Sequence, residues 1–158
     1  MAKLENAKYC LTTNSGVSSI SIVLQLLNYG ERVVVQHDFY NGTRGIITRV
    51  MNNRYNKIDL GTEDPYTQLE SYLTKEYKDI KLVYLETPSN PMMEIIDLKR
   101  ISAICKKYNV ITAIDSTTSS PLYLKSLELG VDISIHACTK YIGGHSDCVG
   151  GVISTNSQ

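Results

Sequence analysis

Four short apolar runs constrain this chain more than any other feature. Residues 32–36 (RVVVQ), 81–85 (KLVYL), 110–114 (VITAI) and 132–135 (DISI) are β-branched and too short for a buried helix. Continuous apolar runs of this length read as strands covered on both faces. Between them the period changes. After Asp97, a good N-cap, Ile101, Ile104, Cys105 and Tyr108 fall at i, i+3, i+4 and i+7 and predict one face of a helix. A second helix is predicted over 17–27, with Gly30 near its stop, and a weaker third over 67–76. Strand, helix, strand, helix is the order of parallel βαβ units. The expected fold is therefore α/β, a mostly parallel sheet with flanking helices, in one domain spanning 1–158.

Charge narrows the function classes. Sixteen Lys and Arg balance sixteen Asp and Glu, so no basic face is forced, and neither nucleic acid nor an anionic membrane is the expected partner. No apolar stretch approaches the roughly 18–20 residues of a membrane span. The first ten residues carry Lys3, Glu5 and Lys8 and no apolar signal core. Cys10, Cys105, Cys138 and Cys148 form no C-x-x-C pair, so they read as reduced thiols of a cytoplasmic protein.

In open parallel sheets ligands gather at the carboxyl ends of the strands. The residues there are Asp38-Phe39-Tyr40, the stretch from Glu86 to Pro91, Asp115-Ser116-Thr117, and Thr139-Lys140. They offer an acid (Asp115), an amine (Lys140), an aromatic ring (Tyr40) and an amide (Asn90). A fifth segment, Asn14-Ser15-Gly16-Val17, opens a helix, and a helix start is a natural phosphate seat. A phosphorylated pyridine aldehyde needs all of these. The lysine amine joins the aldehyde, the carboxylate keeps the ring nitrogen protonated, the aromatic ring stacks, and the amide reaches the 3-oxygen. Each residue alone has a plain alternative: a surface lysine, a loop-capping aspartate, a packing tyrosine, a turn asparagine, a bare helix cap.

Other motifs fit less well. Gly144-His145-Ser146-Asp147-Cys148 crowds a histidine, a serine and a carboxylate, but Cys148 stands where the second glycine of G-x-S-x-G belongs. His136, Cys138, His145, Asp147 and Cys148 match no standard zinc spacing. No G-x-G-x-x-G and no Walker A motif is present.

At Lys140 the context becomes specific. The stretch from His136 to Asp147 (HACTKYIGGHSD) resembles the cofactor-lysine motif of the Cys/Met-metabolism enzymes, S-A-T-K-Y-x-x-G-H-S-D. Leu85-Glu86-Thr87-Pro88-Ser89-Asn90-Pro91 is similar to their L-E-T-P-S-N-P, and Ile114-Asp115-Ser116-Thr117 to V-D-N-T. Tyr40-Asn41-Gly42-Thr43 is similar to Y-G-G-T, and Asn14-Ser15-Gly16-Val17 to S-S-G-M. Five motifs stand in family order across nearly the whole chain.

The resemblance implies the large domain of a fold-type I pyridoxal 5′-phosphate enzyme of trans-sulfuration. The expected reaction is carbon–sulfur lysis of cystathionine or a related sulfur amino acid, with Ala7 to Leu11 (AKYCL) tilting toward γ-lyases. γ-Synthase or β-lyase activity is an alternative, as is an inactive fragment serving as a binding or assembly module. Lys140 would hold the aldehyde and move protons on the substrate, Asp115 would pair with the pyridinium nitrogen, and Tyr40 would stack on the ring. Gly16 and Val17 would give N–H groups to the phosphate, Thr139 a hydroxyl, and Asn90 would sit near the 3-oxygen. By the resemblance, residues 1–158 would correspond to part of the cofactor-binding domain of a homo-oligomer, with the family's N-terminal arm and C-terminal domain expected to be missing. Four departures stand out: Ala137 replaces a serine, Ser116 an asparagine and Val17 a methionine, and Arg44 comes one position before the family's arginine.

Overall fold

The computed structural model describes residues 1–50, 55–59, 64–75 and 78–157. Among the described residues seven strands form one sheet. In chain order they are β1 (Tyr9–Thr13), β2 (Arg32–Gln36), β3 (Tyr55–Ile58), β4 (Ile80–Glu86), β5 (Ile111–Asp115), β6 (Ile133–Ala137) and β7 (Gly151–Thr155). Their order across the sheet is β1-β7-β6-β5-β4-β2-β3. From β6 through β5, β4 and β2 to β3 every pair is parallel. At the other edge β7 runs antiparallel to both β6 and β1. All four strands expected from the sequence are present within a residue or two. β1, β3 and β7 are additional.

The helices are α1 (Ala2–Glu5), α2 (Gly16–Leu24), α3 (Asn41–Arg49), α4 (Pro65–Lys75), α5 (Leu98–Lys107) and α6 (Ser120–Tyr123), with a 3-10 turn at Ser126–Leu129. The helix predicted over 17–27 stops earlier, at Leu24, and Gly30 lies beyond it at φ 91°. The helix predicted over 67–76 is α4, and Glu76 lies outside the described residues. Asp97 caps α5 as expected, its carboxylate accepting the Arg100 N–H at 3.1 Å.

The apolar runs are continuous because both faces of the sheet are covered. Val33, Val35, Leu82, Tyr84, Ala113, Ile133 and Ile135 point into one core, together with Ile20, Val23 and Leu24 of α2 and Ile47 of α3. Val34, Val83, Leu85 and Ile114 point into the other, with Leu69 of α4 and Leu98, Ile101 and Cys105 of α5. The period of two distributes alternate residues to opposite cores. Among the described residues no helix is long and apolar enough to cross a membrane.

Candidate active site

The parallel strands deliver their carboxyl ends to one rim, and a pocket of about 270 Å3 opens there. This lies near the small end of ligand pockets. Its lining includes Gly16, Val17, Tyr40, Asn90, Asp115, Thr139 and Lys140. All seven residues singled out from the sequence thus converge from five separate segments.

The first segment is the start of α2. Ser15 is extended, at φ −163°, and its hydroxyl oxygen accepts the Ser18 N–H at 3.1 Å. That cap leaves Gly16 and Val17 as the first two helical residues, whose N–H groups have no acceptor within the helix. Gly16 is required by packing. A Cβ there would stand 2.5 Å from the Ala137 Cβ. The alanine that departs from the family motif is therefore the surface on which the helix start rests.

Tyr40 stands at the N-cap of α3 with its ring exposed into the pocket. Its N–H donates to Glu86 Oε1 at 2.9 Å, and the Asn90 N–H donates to Glu86 Oε2 at 3.2 Å. Arg44 turns away. Its guanidinium donates to the His37 carbonyl at 3.3 Å and lies 4.8 Å from the centre of the Phe39 ring.

Asp115 ends β5, buried at the pocket floor. Oδ1 accepts the Thr117 N–H at 3.0 Å and the Thr117 hydroxyl, and Oδ2 accepts the Tyr84 hydroxyl at 3.2 Å. The Thr117 oxygen in turn accepts the Ala137 N–H at 2.8 Å, so the ends of β5 and β6 are tied through the acid. Burial pushes the Asp115 carboxyl above its ordinary range, against the two Thr117 donors, His136 and Tyr84, which favour the ionised form. Burial, followed by the nearby Asp115 charge, pushes Glu86 up to about 7.

Lys140 follows β6 and is exposed. Thr139 is engaged locally: its Oγ accepts the Gly150 N–H at 3.2 Å. In the His145-Ser146-Asp147 stretch all three residues are exposed, and the His145 Nδ1 meets the Gly143 carbonyl at 3.0 Å instead of Ser146. Among the described residues no cluster of three His, Cys, Asp or Glu could hold a metal ion.

Sequence reading named Glu86 and Thr117 as strand-end residues and weighed His136 only as a zinc ligand, giving none of the three the role seen here; it did not single out Tyr84 or the pairing of Glu5 with His136. For Glu86 the signal was available, as a carboxylate directly after the apolar run 82–85. For the pair it was not, because the partners are 131 positions apart.

The pocket offers free N–H groups at a helix start, an aromatic face, a buried acid and an amine, a set of groups able to hold a phosphate-bearing ring with an aldehyde. The profile described as Cys/Met metabolism PLP-dependent enzyme matches residues 1–158. A cystathionine γ-lyase of Dictyostelium discoideum is 38% identical across the whole chain, which covers 40% of that protein. A cystathionine β-lyase of Lactococcus lactis subsp. cremoris is 36% identical, again across the whole chain and 41% of the relative. Among solved structures, cystathionine γ-lyase from Lactobacillus plantarum complexed with L-serine superposes on 99% of this chain, using 40% of its own, with a TM-score of 0.89 at 32% identity. The chain thus spans about two fifths of the length of these relatives. It belongs to the Cys/Met-metabolism family of pyridoxal-phosphate-dependent enzymes.

Proposed function

We propose that this pocket holds pyridoxal 5′-phosphate and that the chain is part of the cofactor-binding domain of a trans-sulfuration lyase. The carrying observation is the convergence of Lys140, Asp115, Tyr40, Asn90 and the Gly16–Val17 helix start on one pocket. Lys140 holds the aldehyde end through its amine. Gly16 and Val17 offer N–H groups to the phosphate at the positive end of α2. The close approach of Gly16 to Ala137 supports that placement, because it brings the helix start against the strand that carries Lys140. Thr139 adds its hydroxyl by exchanging its Gly150 contact for the phosphate. Tyr40 covers one ring face, and Asn90 turns its amide toward the 3-oxygen. Asp115 holds a proton at the ring nitrogen, and Thr117 and Tyr84 fix its orientation.

When bound, the cofactor supplies a pyridinium ring that withdraws electrons from the substrate α-carbon. Lys140 is the base that moves the proton at that carbon. The substrate class is a sulfur amino acid, on the strength of the cystathionine lyases to which the chain is similar, and the working assembly is a homo-oligomer in the cytoplasm. With water consumed and ammonia released in either case, γ-elimination from cystathionine gives cysteine and 2-oxobutanoate and β-elimination gives homocysteine and pyruvate, so the oxo acid identifies the reaction.

The test is covalent labelling. Incubation with pyridoxal phosphate, borohydride reduction and peptide mapping should place the label on Lys140. Label on another lysine, such as Lys125, or none at all, overturns the assignment.

A further inference from the structure

We infer that Glu86 is the positioning residue of this pocket: its single carboxylate ties the backbone of Tyr40 to the backbone of Asn90 and so sets the distance between the ring-stacking and 3-oxygen contacts. The inference rests on the cofactor reading above.

The geometry is bridging. Oε1 takes the Tyr40 N–H at 2.9 Å and Oε2 the Asn90 N–H at 3.2 Å. The two donors lie on different connections, one leading into α3 from β2 and the other leaving β4. Glu86 itself is fixed, only 3% exposed, with its own N–H donated to Gln36 Oε1 at 2.6 Å. A neutral amide could not replace it, because an amide has one accepting oxygen while the two N–H groups need two acceptors.

The tie depends on ionisation. A carboxylate accepts at both oxygens, whereas a protonated carboxyl turns one oxygen into a donor facing an N–H. The ionisable groups facing Glu86 are Asp115 from β5 and the Tyr84 hydroxyl from β4, and Lys140 lines the same pocket. Burial and Asp115 together bring the titration of Glu86 to about 7. Above that pH both loops are held, and below it one is released.

Pyridoxamine 5′-phosphate is the suitable probe. It fills the ring and phosphate subsites yet has no aldehyde, so Lys140 chemistry drops out. Its own titrations are common to every variant. Its dissociation constant should be measured by equilibrium dialysis from pH 6 to 8.5. For the wild type the affinity should rise about tenfold across this range, the equivalent of one charge-assisted hydrogen bond. Glu86→Gln should bind weakly with a flat profile, and Glu86→Asp, which keeps a titrating carboxylate, should regain the slope. If Glu86→Gln fails to fold by circular dichroism, Glu86→Asp decides alone, and a flat profile there overturns the inference. Parallel wild-type and Glu86→Gln profiles of equal affinity also overturn it, while leaving the cofactor reading intact. Absence of binding by every chain at every pH, with no borohydride label on Lys140, overturns both.

Discussion

Gly42 lies beneath the ring of Tyr40: a Cβ built on Gly42 would stand 2.3 Å from Tyr40 Cε1 and 3.0 Å from Cζ. The tyrosine therefore takes up its place in the pocket only because position 42 has no side chain. Gly42→Ala should push the ring out of the pocket while α3 stays formed, since alanine favours helix over glycine. Aromatic stacking contributes about 1 kcal/mol. Pyridoxal phosphate should therefore bind several-fold more weakly, with unchanged far-ultraviolet circular dichroism. An unchanged dissociation constant would show that Tyr40 does not touch the ring.

Asp115 and Glu86 influence each other, since the Asp115 charge is the second cause, after burial, of the raised Glu86 titration. Asp115→Asn keeps an oxygen for the Thr117 donors and removes the charge. Two outcomes are expected. Cofactor affinity falls by about tenfold or more, the loss of a hydrogen bond to a charged group. The midpoint of the remaining pH dependence moves to lower pH, because Glu86 loses a like-charged neighbour. A fluorescence titration at several pH values reads both. A midpoint that stays in place would separate the two carboxylates.

The parts of this fold that were legible in the sequence are those where burial imposes a period. β2, β4, β5 and β6 are covered on both faces and so read as apolar runs, and α5 presents one apolar stripe. β1 was not legible because it is an edge strand, mostly exposed, and Tyr-Cys-Leu-Thr-Thr carries no alternation. Its partner β7 opens on Gly151 and closes on Ser154 and Thr155, which leaves only Val152 and Ile153 as an apolar run. α3 was missed because Gly42 and Gly45 dilute its helical signal, and Gly42 serves the Tyr40 ring instead. The seven pocket residues were legible because strand ends and a helix start carry them. Glu86 stood out only as a strand-end residue; its bridging contacts were not legible, because its partners are backbone N–H groups, which leave no mark in the sequence. Gly16 was legible as part of a helix start, but the neighbour that requires its missing side chain, Ala137, was not.

Glu5 of α1 and His136 of β6 form a fully buried pair, with Ser134 Oγ 3.4 Å from the imidazole. His136 immediately precedes Ala137, whose N–H reaches Asp115 through Thr117. Removing one member leaves a buried polar group without its partner, a loss of about 3–5 kcal/mol. Glu5→Ala should lower the urea midpoint accordingly. The double variant Glu5→Leu/His136→Leu should recover much of that stability, because two apolar side chains replace a desolvated pair. Equal and additive losses in the single and double variants would show that the two side chains do not depend on each other.

The sign of the pH effect on stability separates Glu86 from an ordinary surface acid. Its ordinary value is 4.5, and in the folded chain it is pushed up to about 7, by burial first and by Asp115 second. A group whose folded value is raised binds its proton more tightly in the folded state. Its contribution to stability is therefore complete below about 4.5 and is lost as the pH climbs through about 7. At 3% exposure little solvent screening intervenes, and the interval corresponds to roughly 3 kcal/mol. Urea unfolding of the wild type should therefore show stability declining from pH 4.5 to 8. Glu86→Gln has no proton to lose at this position, so its curve should be flatter by about that amount. Asp115, also raised by burial, is common to both chains and largely cancels in the difference. Affinity for pyridoxamine phosphate is expected to rise over the same range. Opposite slopes for stability and affinity are what a carboxylate gives when burial opposes its charge and two loop N–H groups require it. Wild-type and Glu86→Gln stability curves that run parallel from pH 4.5 to 8 would place the Glu86 titration outside this interval, and the ionisation-dependent tie between Tyr40 and Asn90 would go with it.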